Sequence, residues 1–165
     1  MKKEYTLVII ISIVSGLLFY IFNLLTPSPR TVSGNGNPAL LLMPILLPLF
    51  VYLVFLWIKV LKNFRINSRI ALIAIIGIVF HWFFGLYYQQ FLFNNHRNVL
   101  ADVYQKEFGY VDRVYIEQIT SSLLSIHTNK LYFNLNTYLM FLTLSIFLSL
   151  SIVLIKKLFP PPSNK

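Results

Sequence analysis

The chain has 165 residues, of which 57% are hydrophobic and 12% charged, and its mean hydropathy is +0.70. A soluble domain carries about a quarter charged residues, and a soluble core in so short a chain has no room for this much apolar surface, whereas a bilayer has. The net charge is +9 and there is no cysteine, which excludes disulfides, thiolate metal sites and redox CxxC motifs.

Apolar residues come in long runs, not at a helical or strand period. A helix needs roughly 20 apolar residues to cross the hydrocarbon core. Four runs qualify: residues 6–25, 39–61, 70–93 and 135–155. The fold class expected is therefore all-α, a polytopic membrane protein of four transmembrane helices forming one integral membrane domain over residues 1–165. The first run follows Lys2 and Lys3, yet it exceeds the roughly 7–15 residues of a signal-peptide apolar region and no small-x-small cleavage pattern follows. It is expected to remain as a span.

After it comes TPSPRTVSGNGNP, a stretch poor in helix formers. Asn37 is placed to cap the second span, with Pro38 at its first helical position. Pro44 and Pro48 then lie within that span. Each removes a backbone donor, which predicts a kink in its outer half. The second and third spans are joined by KNFRINSR, dense in Lys and Arg. The C-terminal LFPPPSNK predicts the end of the last helix and a short tail.

The basic residues explain the net charge by topology rather than by nucleic acid. With the N-terminus inside, nine Lys and Arg face the cytoplasm: Lys2, Lys3, Lys59, Lys62, Arg65, Arg69, Lys156, Lys157 and Lys165. Five face outward: Arg30, Arg97, Lys106, Arg113 and Lys130. Basic loops are retained inside, so both termini are expected in the cytoplasm of a cell-membrane protein. Trp57, Tyr87, Tyr88 and Tyr132 fall near the predicted interfaces, where amphipathic rings settle.

Residues 94–134 form the one sizeable segment outside the spans. Val99, Val103, Tyr104 and Phe108 recur at helical spacing, Asp102 and Lys106 form an i,i+4 pair, and Gly109 is placed as a C-cap. A second pattern runs through Val111, Val114, Tyr115, Ile119, Ser122 and Ile126, with Arg113 and Glu117 as another pair. These predict two short amphipathic helices resting on the membrane surface or over the bundle, with a strand through YVDRVYIEQI as the alternative. His96, Arg97, Asp102 and His127 would be the candidates for an enzyme at this surface. No HExxH, GxSxG or glycine-rich phosphate loop accompanies them, so no catalytic, cofactor-binding or metal-ligating set is assigned. Tyr104, Tyr110 and Tyr115 are the candidates for docking a partner.

Within GIVFHWFFGLYYQQ, His81 lies twelve residues beyond Arg69, roughly 18 Å into the membrane. Such a group is a functional hypothesis by default. It sits between Gly77 and Gly85, and small residues at that spacing admit a close neighbour. Ser15, Gly16 and Ser145 lie at similar depth on other spans, so the expectation is a neutral His81 hydrogen-bonded across helices. A proton path would want an acidic partner in the bundle, and none of the four runs contains Asp or Glu.

The use of Ile, Phe, Asn and Lys with four spans resembles small membrane proteins of low-GC Gram-positive bacteria, a likeness of composition that implies no site residues. The function expected is non-catalytic: an accessory, assembly or immunity-type protein that acts in the lipid bilayer through a membrane or extracellular protein partner, without nucleic acid. The alternative is a small oligomeric transporter or channel with His81 in its polar path, accompanied by Ser145 and Ser149. A homo-oligomer without a partner would point to transport.

Overall fold

The computed structural model describes residues 2–28, 37, 39–64, 67–122 and 124–159. Pro38, Arg30, Arg65, Lys165 and the tail beyond residue 159, all used in the sequence expectations, lie outside the described residues. The described chain is helical, with no strand among the described residues. Four helical stretches are long and apolar enough to cross a membrane: Lys2–Leu24, Ala39–Asn63, Ser68–Phe108 and Leu135–Leu158. Helices suit that environment because each satisfies its own backbone groups where no water reaches.

The first stretch is helix α1 (Lys2–Leu24). The second is broken where the prolines predict. Helix α2 (Ala39–Leu42) gives way to a 3-10 turn, Met43–Ile45, which carries Pro44, and helix α3 (Leu46–Asn63) follows. Pro48 falls in the first turn of α3, where an N–H would have no helical partner in any case. Asn37 caps α2 as expected, its side-chain oxygen accepting from the Ala39 amide at 3.0 Å.

Helix α4 (Ser68–Phe108) departs from the sequence expectation. The third span and the first external helix are a single helix of 41 residues, not two. At 1.5 Å per residue it is roughly 60 Å long, about twice the hydrocarbon thickness. The polarity change near Asn94 had suggested a break, but polarity marks where a helix leaves lipid, not where it stops. No Pro lies between Ser68 and Phe108, and the helix ends only at Gly109, whose φ of 75° supplies the left-handed cap. Helix α5 (Arg113–Ser121) starts at Asp112, which caps the Tyr115 amide at 2.9 Å, so the strand alternative fails here. A 3-10 turn, Ile126–Thr128, and helix α6 (Asn129–Tyr132) lead back to the bundle. Helix α7 (Leu135–Leu158) opens with a capping box between Asn134 and Thr137.

Helix α7 is the hub: α3 and α4 pack on it most extensively, and α1 packs on α3 and more lightly on α7. At the end where α1 begins, Val8 of α1 meets Leu53, Leu56 and Val60 of α3. Nearby, Leu61, Ala71 and Leu150 join α3, α4 and α7. At the opposite end, hereafter the far end, Phe133 is wedged against Phe19 and Phe22 at ring separations of 5.4 and 4.7 Å. No comparable packing joins α1 to α4.

The two glycines flanking His81 serve different ends. Gly85 is buried against α7, where an added Cβ would stand 2.9 Å from the Met140 sulfur and 3.3 Å from Asn136 Oδ1. Gly77 has nothing within 4 Å of that position and is exposed to the surroundings of the bundle. Gly85→Leu is therefore expected to lower stability in detergent by about 1–3 kcal/mol, while Gly77→Ala leaves it unchanged or raises it. Thermal unfolding of the two variants followed by circular dichroism checks this, and an equal loss in both would contradict the packing described.

Candidate functional site

The polar residues expected to meet around His81 fall into two groups on opposite sides of α7. Thr143 Oγ1 lies 3.3 Å from Nδ1 of His81 and accepts from the indole Nε1 of Trp82, also at 3.3 Å. Its hydroxyl can donate back to the Leu139 carbonyl at 2.9 Å. His81 thus meets Thr143, on the face of α7 that also carries Met140 toward Gly85. Ser145 and Ser149 occupy the other face. Ser145 donates to the Leu142 carbonyl at 2.7 Å, and Ser149 can donate to Val54 O of α3 at 3.0 Å. Gly16 packs against the Tyr138 ring, whose hydroxyl donates to Ser12 O at 2.8 Å. Ser15 is fully buried, and its hydroxyl has no partner among the described residues. Ser15, Gly16 and Ser145 are therefore not brought to His81, because α7 stands between them.

Polar density is highest at the far end. Asn37 and Asn129 exchange side-chain hydrogen bonds of 2.7 and 3.0 Å in both directions, and Asn129 is fully buried. This pair joins the start of α2 to α6. Asn23, in the last turn of α1, donates to the Phe133 carbonyl at 2.7 Å. Gln89 of α4 donates to the Leu131 carbonyl and accepts from Asn134 at 3.3 Å. Asn136 donates to the Gly85 carbonyl at 3.0 Å. Amides suit this work because each carries donors and an acceptor without a charge to bury. Of these only Asn37 stood out in the sequence. The signal for the rest was available, since Asn23, Gln89, Asn134 and Asn136 all fall at span ends, but composition alone does not pair them.

Above this network α4 and α5 form an antiparallel hairpin. Arg97 Nε donates to Thr120 Oγ1 at 2.9 Å, and its guanidinium lies 3.8 Å from Glu117. Glu117 thus pairs across the hairpin, not along α5 with Arg113. The rings of Tyr104 and Tyr115 stand 5.9 Å apart, and burial together with a hydrogen bond to Tyr115 pushes the Tyr104 hydroxyl above its usual pKa. Two of the three docking candidates are thus the clasp of the hairpin. Tyr110, in the turn, is 65% exposed, with Phe108 and Val114 also exposed beside it in sequence.

His96 and His127 come near one another at the hairpin base. Burial, then the charges of His127 and Lys130, holds His96 below its ordinary pKa, and burial does the same for His127. No group of three His, Asp or Glu with metal-holding geometry occurs among the described residues. Beside His96 opens a cavity of about 990 Å³ between the end of α1, the outer part of α4 and the start of α7.

Compared with models of protein families, with curated proteins and with solved structures, the chain matches none.

The Asn37–Asn129 pair gives a direct check on the far end. Asn129→Leu takes both bonds of this pair from the buried Asn37, which keeps the Ala39 amide and a 3.4 Å bond to Ser125 O, and is expected to cost about 1–3 kcal/mol. Replacing both residues by Leu is expected to cost less than the sum of the single changes. Additive losses in thermal unfolding would mean that the two amides do not act as a unit.

Proposed function

We propose that this is a non-catalytic multi-pass membrane protein that works by binding a protein partner at its far end, as an accessory, assembly or immunity-type protein. The observation that supports this is the hairpin of α4 and α5. Helix α4 continues beyond the length a bilayer requires, so roughly 30 Å of it stands clear of the hydrocarbon. The clasp of Tyr104 on Tyr115 and the Arg97 contacts to Thr120 and Glu117 brace it. Its tip then presents Phe108, Tyr110 and Val114 to solvent on a rigid support. Exposed aromatic and aliphatic residues in water cost free energy in isolation and are favoured where a partner covers them. Preorganisation reduces the ordering cost of binding.

The distribution of Lys and Arg supports placing both termini in the cytoplasm and the hairpin outside. Because the natural chain has no cysteine, the orientation can be read with single introduced thiols. A membrane-impermeant maleimide is expected to label Gln118→Cys in intact cells and to label Lys62→Cys only after lysis. The reverse pattern would invert the topology.

The partner reading is tested by purification from the native membrane at native expression. A stoichiometric protein is expected to accompany the chain, and its affinity to fall about tenfold or more when Tyr110 and Val114 are both changed to Asp. Tyr104→Phe, which keeps the ring of the clasp, is expected to retain it. A chain that purifies alone, or a partner indifferent to the tip, would sink the proposal. The transporter reading gains less support, since His81 is met by Thr143, itself bonded to Trp82, and no acidic side chain lies within the four apolar runs.

A further inference from the structure

Helices α1 and α4 both flank α7 with at most slight packing on one another, and a gap lies between their far-end halves. This gap is the 990 Å³ cavity. Its long axis follows the helices. Along α4 the wall runs from Tyr88 to Val99, roughly 16 Å at 1.5 Å per residue. Toward the middle of the bundle the wall carries Leu92, Leu135 and Leu139, with Tyr88 and Asn136 among them. Toward the far end it carries Thr26 and Ser28, just beyond α1, Asn95 and His96 from α4, and Lys130 from α6, with Val99 and Leu131 among them. The positive charge at the far end and the leucines toward the middle follow the order of groups along a lipid.

Asn95 and Lys130, both exposed, supply donors to the far-end part of the wall. The charge is also specific. Among the described residues of the lining, Lys130 is the one charged side chain and none is a carboxylate. An anion is favoured there.

We propose that the cavity binds a single anionic phospholipid from the leaflet at the far end. Its phosphate lies within reach of Lys130 and Asn95, and an acyl chain lies along Leu92, Leu135 and Leu139. A free phosphate or glycerophosphate would leave the apolar wall uncovered. A zwitterionic choline lipid would bring a second cation toward the Lys130 ammonium. The site depends on the chain lying in a membrane but not on the tip of the hairpin, so it stands or falls separately from partner binding.

The test uses the full chain purified from membranes and reconstituted in bilayer discs of equal parts phosphatidylglycerol and phosphatidylcholine, with retained lipid counted by native mass spectrometry. One phosphatidylglycerol per chain is expected to be held in preference to phosphatidylcholine. Lys130→Glu is expected to lower its occupancy by about tenfold or more. Leu92→Trp, which fills the apolar part and changes no charge, is expected to lower it as well, and Tyr110→Asp to leave it intact. Circular dichroism and gel filtration establish that each variant folds; should Lys130→Glu fail there, Lys130→Gln carries the charge test. Equal retention of the two lipids, or unchanged retention in both cavity variants, would overturn the proposal. So would displacement of the lipid by glycerol 3-phosphate at equal concentration, which would mark the site as one for a soluble anion.

Discussion

Packing against α7 is the constraint on which the rest of the molecule depends. Lipid supplies no hydrophobic drive between helices, so close fit and interhelical hydrogen bonds must hold them. Helix α7 offers both. One face takes Gly85 of α4 against Met140 and Asn136, with Thr143 bonded to Trp82 and close to His81. Another takes α3 through Ser149 and α1 through Tyr138. A helix with two occupied faces necessarily separates the elements on either side. The separation of His81 from Ser15 and Ser145 follows from that, and so does the opening between α1 and α4.

The far end is organised by amides where a soluble protein would use charges. Asn23, Asn37, Gln89, Asn129, Asn134 and Asn136 tie the ends of α1, α2, α6 and α7 to one another and to the middle of α4. At the boundary of the hydrocarbon a buried charge would carry a heavy desolvation cost, while a paired amide satisfies its own donors and acceptor. Phe133 fits between Phe19 and Phe22 in the same region. The hairpin therefore rises from a fixed base, and its direction is set by the continuity of α4, not by the membrane surface.

Two features expected as neighbours in function turn out to divide the labour. Tyr104 and Tyr115 close on each other and hold α4 to α5, which leaves Tyr110 as the tyrosine presented outward. Gly77 and Gly85 lie on one stripe around His81, yet only Gly85 meets another helix. In both cases the residue type was legible and its role was not, because spacing gives the face of a helix but not what stands opposite it.

Hydropathy and the placement of breakers were enough, from the sequence alone, to determine the four membrane-length helices, the interruption at Pro44, the cap at Asn37 and the stop at Gly109. These are local properties: a run of apolar side chains, a missing N–H or a permitted positive φ acts within a turn or two of chain. The tertiary structure decided which helix sits at the centre, which face of α7 each neighbour takes, and that α4 runs unbroken past the change in polarity at Asn94. It also decided the pairing of Asn37 with Asn129 and the gap beside α1. Depth in a membrane is a sum along one helix, readable residue by residue. Rotation about the helix axis and the choice of neighbour are settled only when all the helices pack at once.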